Sequence, residues 1–103
     1  MAQIVKAVEG MRPNGTENAR RVVITNAGSV QFAALDVGTS HILWTSEDAN
    51  FRVTFDGSEP SVTNGHVITA NSTGTWTREM AEAAKFLSTT GTNAIFYASQ
   101  MAV

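Results

Sequence analysis

Two histidines and one short acidic run are the residues in this chain whose types could do chemistry. His41 stands at the start of an apolar stretch, and His66 follows the dipeptide Asn64-Gly65. To form a metal site or an acid–base pair, they would have to converge with carboxylates from distant segments, and nothing in their spacing requires it. Asp56, Ser58 and Glu59 offer oxygens at close spacing. The alternating acidic ligands and distal Glu of a dedicated calcium loop are missing, so a plain turn is the expectation. Ser and Thr abound, yet no GxSxG elbow, SxxK pair or phosphate-binding glycine pattern activates one or cradles a nucleotide. An enzymatic reading would have to rest on His66 with Asp56 or Glu59. The expectation is no enzyme, no cofactor and no metal.

Trp44, Trp76 and Tyr97 could in principle make a sugar-stacking platform, but aromatic rings supply much of a small domain's buried area, and core or edge packing is expected of them. Arg52 and Arg78 are read as exposed-face or interface partners rather than anion ligands. Asn14-Gly15-Thr16 and Asn71-Ser72-Thr73 match the N-glycosylation triplet. With no secretory pattern ahead of them, both are expected to be coincidental.

The elements that must position these residues read as short strands. Phe51, Val53 and Phe55 alternate with Arg52, Thr54 and Asp56, which predicts a strand with the first set inside and the second outside. A polar loop then closes on Asn64-Gly65, a strong turn dipeptide. Before it, Arg21–Thr25, then Val30, Phe32 and Ala34, then His41–Thr45 read as strands divided by turns at 26–28, 36–39 and 46–50. After it, the one helical candidate runs from Arg78 to Phe86, with Thr77 as N-cap and Met80, Ala84 and Leu87 on one stripe. A turn at 89–93 precedes a closing strand at 94–100. All eight glycines are assigned to turns or to the N-terminal arm. Residues 1–19 are read as that arm, extended and broken by Gly10, Pro13, Asn14 and Gly15, and residues 20–103 as a single β-rich domain. The fold class is all-β, a small β-sandwich or jelly-roll-like barrel with one short helix near the C-terminus.

Composition narrows the partners. Seven Lys and Arg, a net charge of -2 and no basic cluster argue against nucleic acid. No apolar run approaches the ~20 residues that cross a bilayer. Without cysteine there is neither disulfide nor thiolate metal site, so packing must hold the domain together. Charged residues are 16% of the chain, sparse enough to suggest a surface that lives in an assembly.

The segment FRVTFDGSEPSVTNGHVITA, the strand TGTWT, the helix EMAEAAKFLS and the last strand AIFYASQ, taken in that order, resemble small virion proteins of tailed bacteriophages, in particular head-decoration or capsid-cement proteins. The resemblance covers roughly residues 20 to 101; the arm has no counterpart in it. It implies a sandwich or jelly roll that binds the capsid surface of a virion assembled in the host cytoplasm, with the major capsid protein as partner and self-association left open. The contact candidates are Ile4, Val5 and Val8 of the arm and Ser58, Ser61 and Thr63 of the loop. The alternative is a tail, fibre-attachment or glycan-binding virion module.

Overall fold

The computed structural model describes residues 10–14 and 19–103. In order, the elements are β1 (Arg12–Pro13), β2 (Ala19–Ile24), β3 (His41–Glu47), β4 (Phe51–Thr54), β5 (His66–Ile68), β6 (Thr73–Thr77), α1 (Arg78–Ala83), β7 (Lys85–Ser88) and β8 (Ala94–Ala102). They build two antiparallel sheets. The larger has five strands in the order β1-β8-β3-β6, with β2 also on β8, and the smaller runs β5-β4-β7. The expected small all-β sandwich with one short helix is the fold. Arg12 and Pro13, within the segment read as an arm, pair with Ala102 and Met101 of the closing strand.

The core follows from side-chain alternation. Ile42 and Trp44 of β3, Trp76 of β6 and Phe96 and Ala98 of β8 face Phe51 and Val53 of β4 and Phe86 of β7, and all are buried. The ring of Phe96 lies 4.9 Å from Phe86, 5.1 Å from Trp76, 5.2 Å from Trp44, 5.5 Å from Phe32 and 5.9 Å from Phe51. Five rings therefore converge on one side chain of a strand in the interior of the larger sheet.

Four local expectations are corrected. Val30, Phe32 and Ala34 form no strand. Val30 makes a single bridge to Phe86, and the chain then folds inward so that Phe32 packs edge-on against Phe86 and Leu35 is buried. The alternation there is spent on plugging the core. The helix stops at Ala83, because Ala84 is extended (φ -66, ψ 128) and Phe86 and Ser88 are buried on alternate positions of β7. Six residues cannot sustain a helix against a strand that buries a phenylalanine. The Thr77 cap is present, accepting the Met80 amide at 3.3 Å.

Thr54 is buried, whereas Phe55 is only half-buried. β4 ends at Thr54, whose hydroxyl donates to the Ser58 carbonyl at 2.6 Å, so the following loop folds over it. Lastly, Gly74 lies inside β6 rather than in a turn. A Cβ there would sit 2.7 Å from the Trp44 indole, so the glycine is the space into which that ring leans.

Urea unfolding checks these placements. Val53→Asp is expected to cost about 3–5 kcal/mol, the penalty of an unpaired buried charge, and Gly74→Ala about 1–3 kcal/mol from overpacking. Thr54→Asp is also strongly destabilising, because the position is covered by the loop.

Candidate functional site

The loop from Asp56 to Gly65, between β4 and β5, is the most elaborately built surface feature among the described residues. Asp56 Oδ1 accepts the Ser58 amide at 3.0 Å and the Ser58 hydroxyl at 2.6 Å. The Asn64 amide side chain donates to the Glu59 carbonyl at 2.8 Å and to the Ser58 hydroxyl at 3.2 Å. At the tip, Ser61 and Asn64 exchange two backbone hydrogen bonds of 3.0 and 3.2 Å, so the tight turn is centred on Val62-Thr63. Asn64-Gly65 forms its exit, with Gly65 at φ +114, a conformation that suits glycine. The turn dipeptide is thus one step beyond the turn itself.

Three residues outside the loop anchor it. Arg52, on the outer face of β4, donates to the Gly65 carbonyl at 2.8 Å and the Val62 carbonyl at 3.1 Å. Lys85 of β7 donates to the Gly57 carbonyl at 3.2 Å and pairs with Glu59 at 2.8 Å. Ser29, from the connection after β2, donates to the other Glu59 oxygen at 2.8 Å. Arg52 thus lies on the outer face of its strand and there serves as a loop clamp. Arg78 is likewise turned to internal use, donating to the carbonyls of Asp36 and Thr39 at 2.9 and 3.1 Å and pairing with Glu82 at 3.0 Å. Neither clamp was legible in sequence, because each binds main-chain oxygens of segments 10 to 43 residues away.

What the loop presents is apolar at the tip and hydroxylic beside it. Val62 is 65% exposed, and the Ser61 and Thr63 hydroxyls lie 3.4 Å apart next to it. Ser58, in contrast, spends its hydroxyl inside the loop. The remaining contact candidates, Ile4, Val5 and Val8, lie outside the described residues.

On its inner side the loop forms a shallow depression of ≈ 350 Å³ between Phe55, Asp56, Ser58, Asn64 and His66. His66 and Asp56 thus do share a site. The Ser58 hydroxyl points to Asp56 rather than to the imidazole, so the geometry is that of a turn and not of a nucleophile beside its base. His41 is on the other sheet, its Nδ1 2.9 Å from the Ser40 hydroxyl. Among the described residues, no three His, Asp or Glu side chains are placed to hold a metal ion, and no helix is long and apolar enough to cross a membrane. Trp44 and Trp76 are each 6% exposed and belong to the core; of the three aromatic platform candidates, Tyr97 alone is exposed.

Comparison with family models, with curated proteins and with solved structures finds no match.

The loop's two carboxylates make it acid-sensitive. Hydrogen bonds from the Ser58 hydroxyl and amide hold Asp56 below its ordinary 3.8, and the Lys85 ammonium with the Ser29 hydroxyl holds Glu59 below its ordinary 4.5. A depressed folded value means stabilisation that is fully present above the unfolded value and is lost as pH falls through the folded one. Protection of the amides in residues 57–65, taken against the intrinsic exchange rate at each pH, is expected to be unchanged down to about pH 5 and to fall relative to β8 below about pH 4. Glu59→Gln should show the lower protection already at neutral pH.

Proposed function

We propose that this protein is a structural component of a tailed-phage virion, a head-decoration or cement protein that bridges neighbouring copies of the major capsid protein and performs no chemistry. The observation that carries this reading is the preordered loop with Val62 at its tip. A loop already fixed by Arg52, Lys85 and Asn64 loses little further conformational freedom on docking. An apolar point rimmed by hydroxyls is also the arrangement of an interface centre and its polar rim. The order of strands and turns that resembles phage decoration proteins supports the same reading, as does the sparse surface charge.

A single loop tip buries little area, so one contact is weak. Affinity in such a system comes from repetition: a subunit that touches two or three shell proteins binds the second effectively intramolecularly. A ligand that prefers the assembled shell then stabilises it by mass action.

Adding the protein to phage heads that lack it should raise their heat-disruption temperature saturably with copy number. Val62→Asp and Thr63→Lys should each weaken particle binding about tenfold, or about 1.4 kcal/mol, and leave the free protein's unfolding within about 0.5 kcal/mol of wild type. Particles whose stability and head density do not change at saturation would transfer the protein to the tail or fibre alternative.

A further inference from the structure

The outer face of the larger sheet carries an apolar strip, with the hydroxyls of Thr45, Thr73, Thr75 and Ser99 beside it. Because Ile24, Ile42, Trp44, Phe96 and Ala98 point into the core, Arg21 and Val23 of β2, Ile95 and Tyr97 of β8 and Leu43, Thr45 and Glu47 of β3 point outward. An antiparallel sheet with one wet face normally turns polar residues to the water. Here the middle of that face is Ile95, Tyr97 and Leu43, with Tyr97 44% and Val23 38% exposed. Across β2, β8, β3 and β6, the outward Arg, Lys, Asp and Glu side chains are Arg21 and Glu47. Both are exposed, and neither takes part in the ion pairs of the described residues, Arg20 with Asp36, Arg78 with Glu82 and Lys85 with Glu59.

The two charges lie on opposite sides of β8. Arg21 lies on one side of β8 in register with Tyr97, and Glu47 lies on the other side in register with Ile95. Each is one strand spacing, about 4.8 Å, from β8. The midpoint between them therefore falls on β8, between Ile95 and Tyr97. We propose that two copies of this chain pack face to face through this sheet, about a two-fold axis that passes over that midpoint, each Arg21 meeting the partner's Glu47. Such an interface is self-complementary in the way a two-fold contact requires. Two ion pairs flank a centre of paired Ile95 and Tyr97 side chains, an aromatic anchor with its charges moved to the rim. The inference is independent of the loop, which belongs to the other sheet.

Sedimentation velocity and light scattering of the full chain over a concentration series test it without any particle present. The expected species is a dimer. Tyr97→Lys and, in the same row, Thr45→Lys should each give a monomer whose circular dichroism and melting match wild type. Arg21→Glu and Glu47→Arg alone should each raise the dimer dissociation constant about tenfold, whereas the two together should restore it to within about threefold, the signature of a direct pair in a double-mutant cycle. A wild-type monomer throughout, a trimer or larger ring, a dimer indifferent to Tyr97→Lys, or a double swap no better than the singles overturns the proposal. If the wild type is monomeric and Tyr97→Lys abolishes particle binding, the face belongs to the capsid protein instead. The loop variants would still report on the cement reading by themselves.

Discussion

Everything in this fold hangs on the packing of aromatic rings between the two sheets at Phe96. With no cysteine and few charges, apolar burial must supply most of the stability, and the chain concentrates it where one ring can touch five others. Neighbouring positions are small so that these rings fit. Ala94 and Ala98 flank Phe96 on β8, and Gly74 gives way to Trp44. The arrangement has a visible cost, since among the described residues the buried Trp44 Nε1 has no hydrogen-bond partner. An unmet N–H costs about 1–3 kcal/mol. Ring contacts with Phe96 and Trp76 each return about 0.5–1.5 kcal/mol beyond their area, and burial of the indole itself adds more. Packing wins over the lost hydrogen bond.

The strand that carries Phe96 also carries the main buried polar group. Gln100 is fully buried; its Oε1 accepts the Asp36 amide at 2.6 Å and the Thr39 hydroxyl at 2.9 Å, and its Nε2 donates to Asp36 Oδ2 at 3.2 Å. Asn14 extends the network, donating to Thr39 Oγ1 at 2.8 Å. These bonds fasten the turn ahead of β3 to the last strand, so residues far apart in sequence are locked at one end of the sandwich. The loop on the smaller sheet is held differently, by one exposed ion pair and by side-chain bonds to carbonyls. Such contacts open at lower free energy than a core strand does. A loop held in one shape on a rigid body suits a protein proposed to seat on a repeating surface.

Arg52 and Arg78 show why binding roles are hard to read from a sequence without a three-dimensional frame. On an alternating strand and at the start of a helix, each looks like a solvated charge available to a partner. Each instead donates to main-chain carbonyls, and a carbonyl acceptor leaves no trace in residue type. The outer sheet face is the opposite case. Arg21, Glu47, Ile95 and Tyr97 are ordinary residues in their own strands, and only the register of β2, β8 and β3 places them on one surface with the charges at balanced corners.

By itself the sequence determined the class of fold, because period-two alternation from Phe51 to Phe55, turn residues at regular intervals and a cap at Thr77 are local properties of the chain. It also determined that the tryptophans would be core, since so small a domain has few other large side chains to bury. Tertiary structure decided what local pattern could not. Phe86 entered a strand rather than extending the helix, because its ring is needed against Phe96. Phe32 became a plug and Thr54 the floor of a loop, because burial depends on what arrives from elsewhere in the chain. Alternation states which residues share a face; only the packing of distant segments decides whether that face is covered.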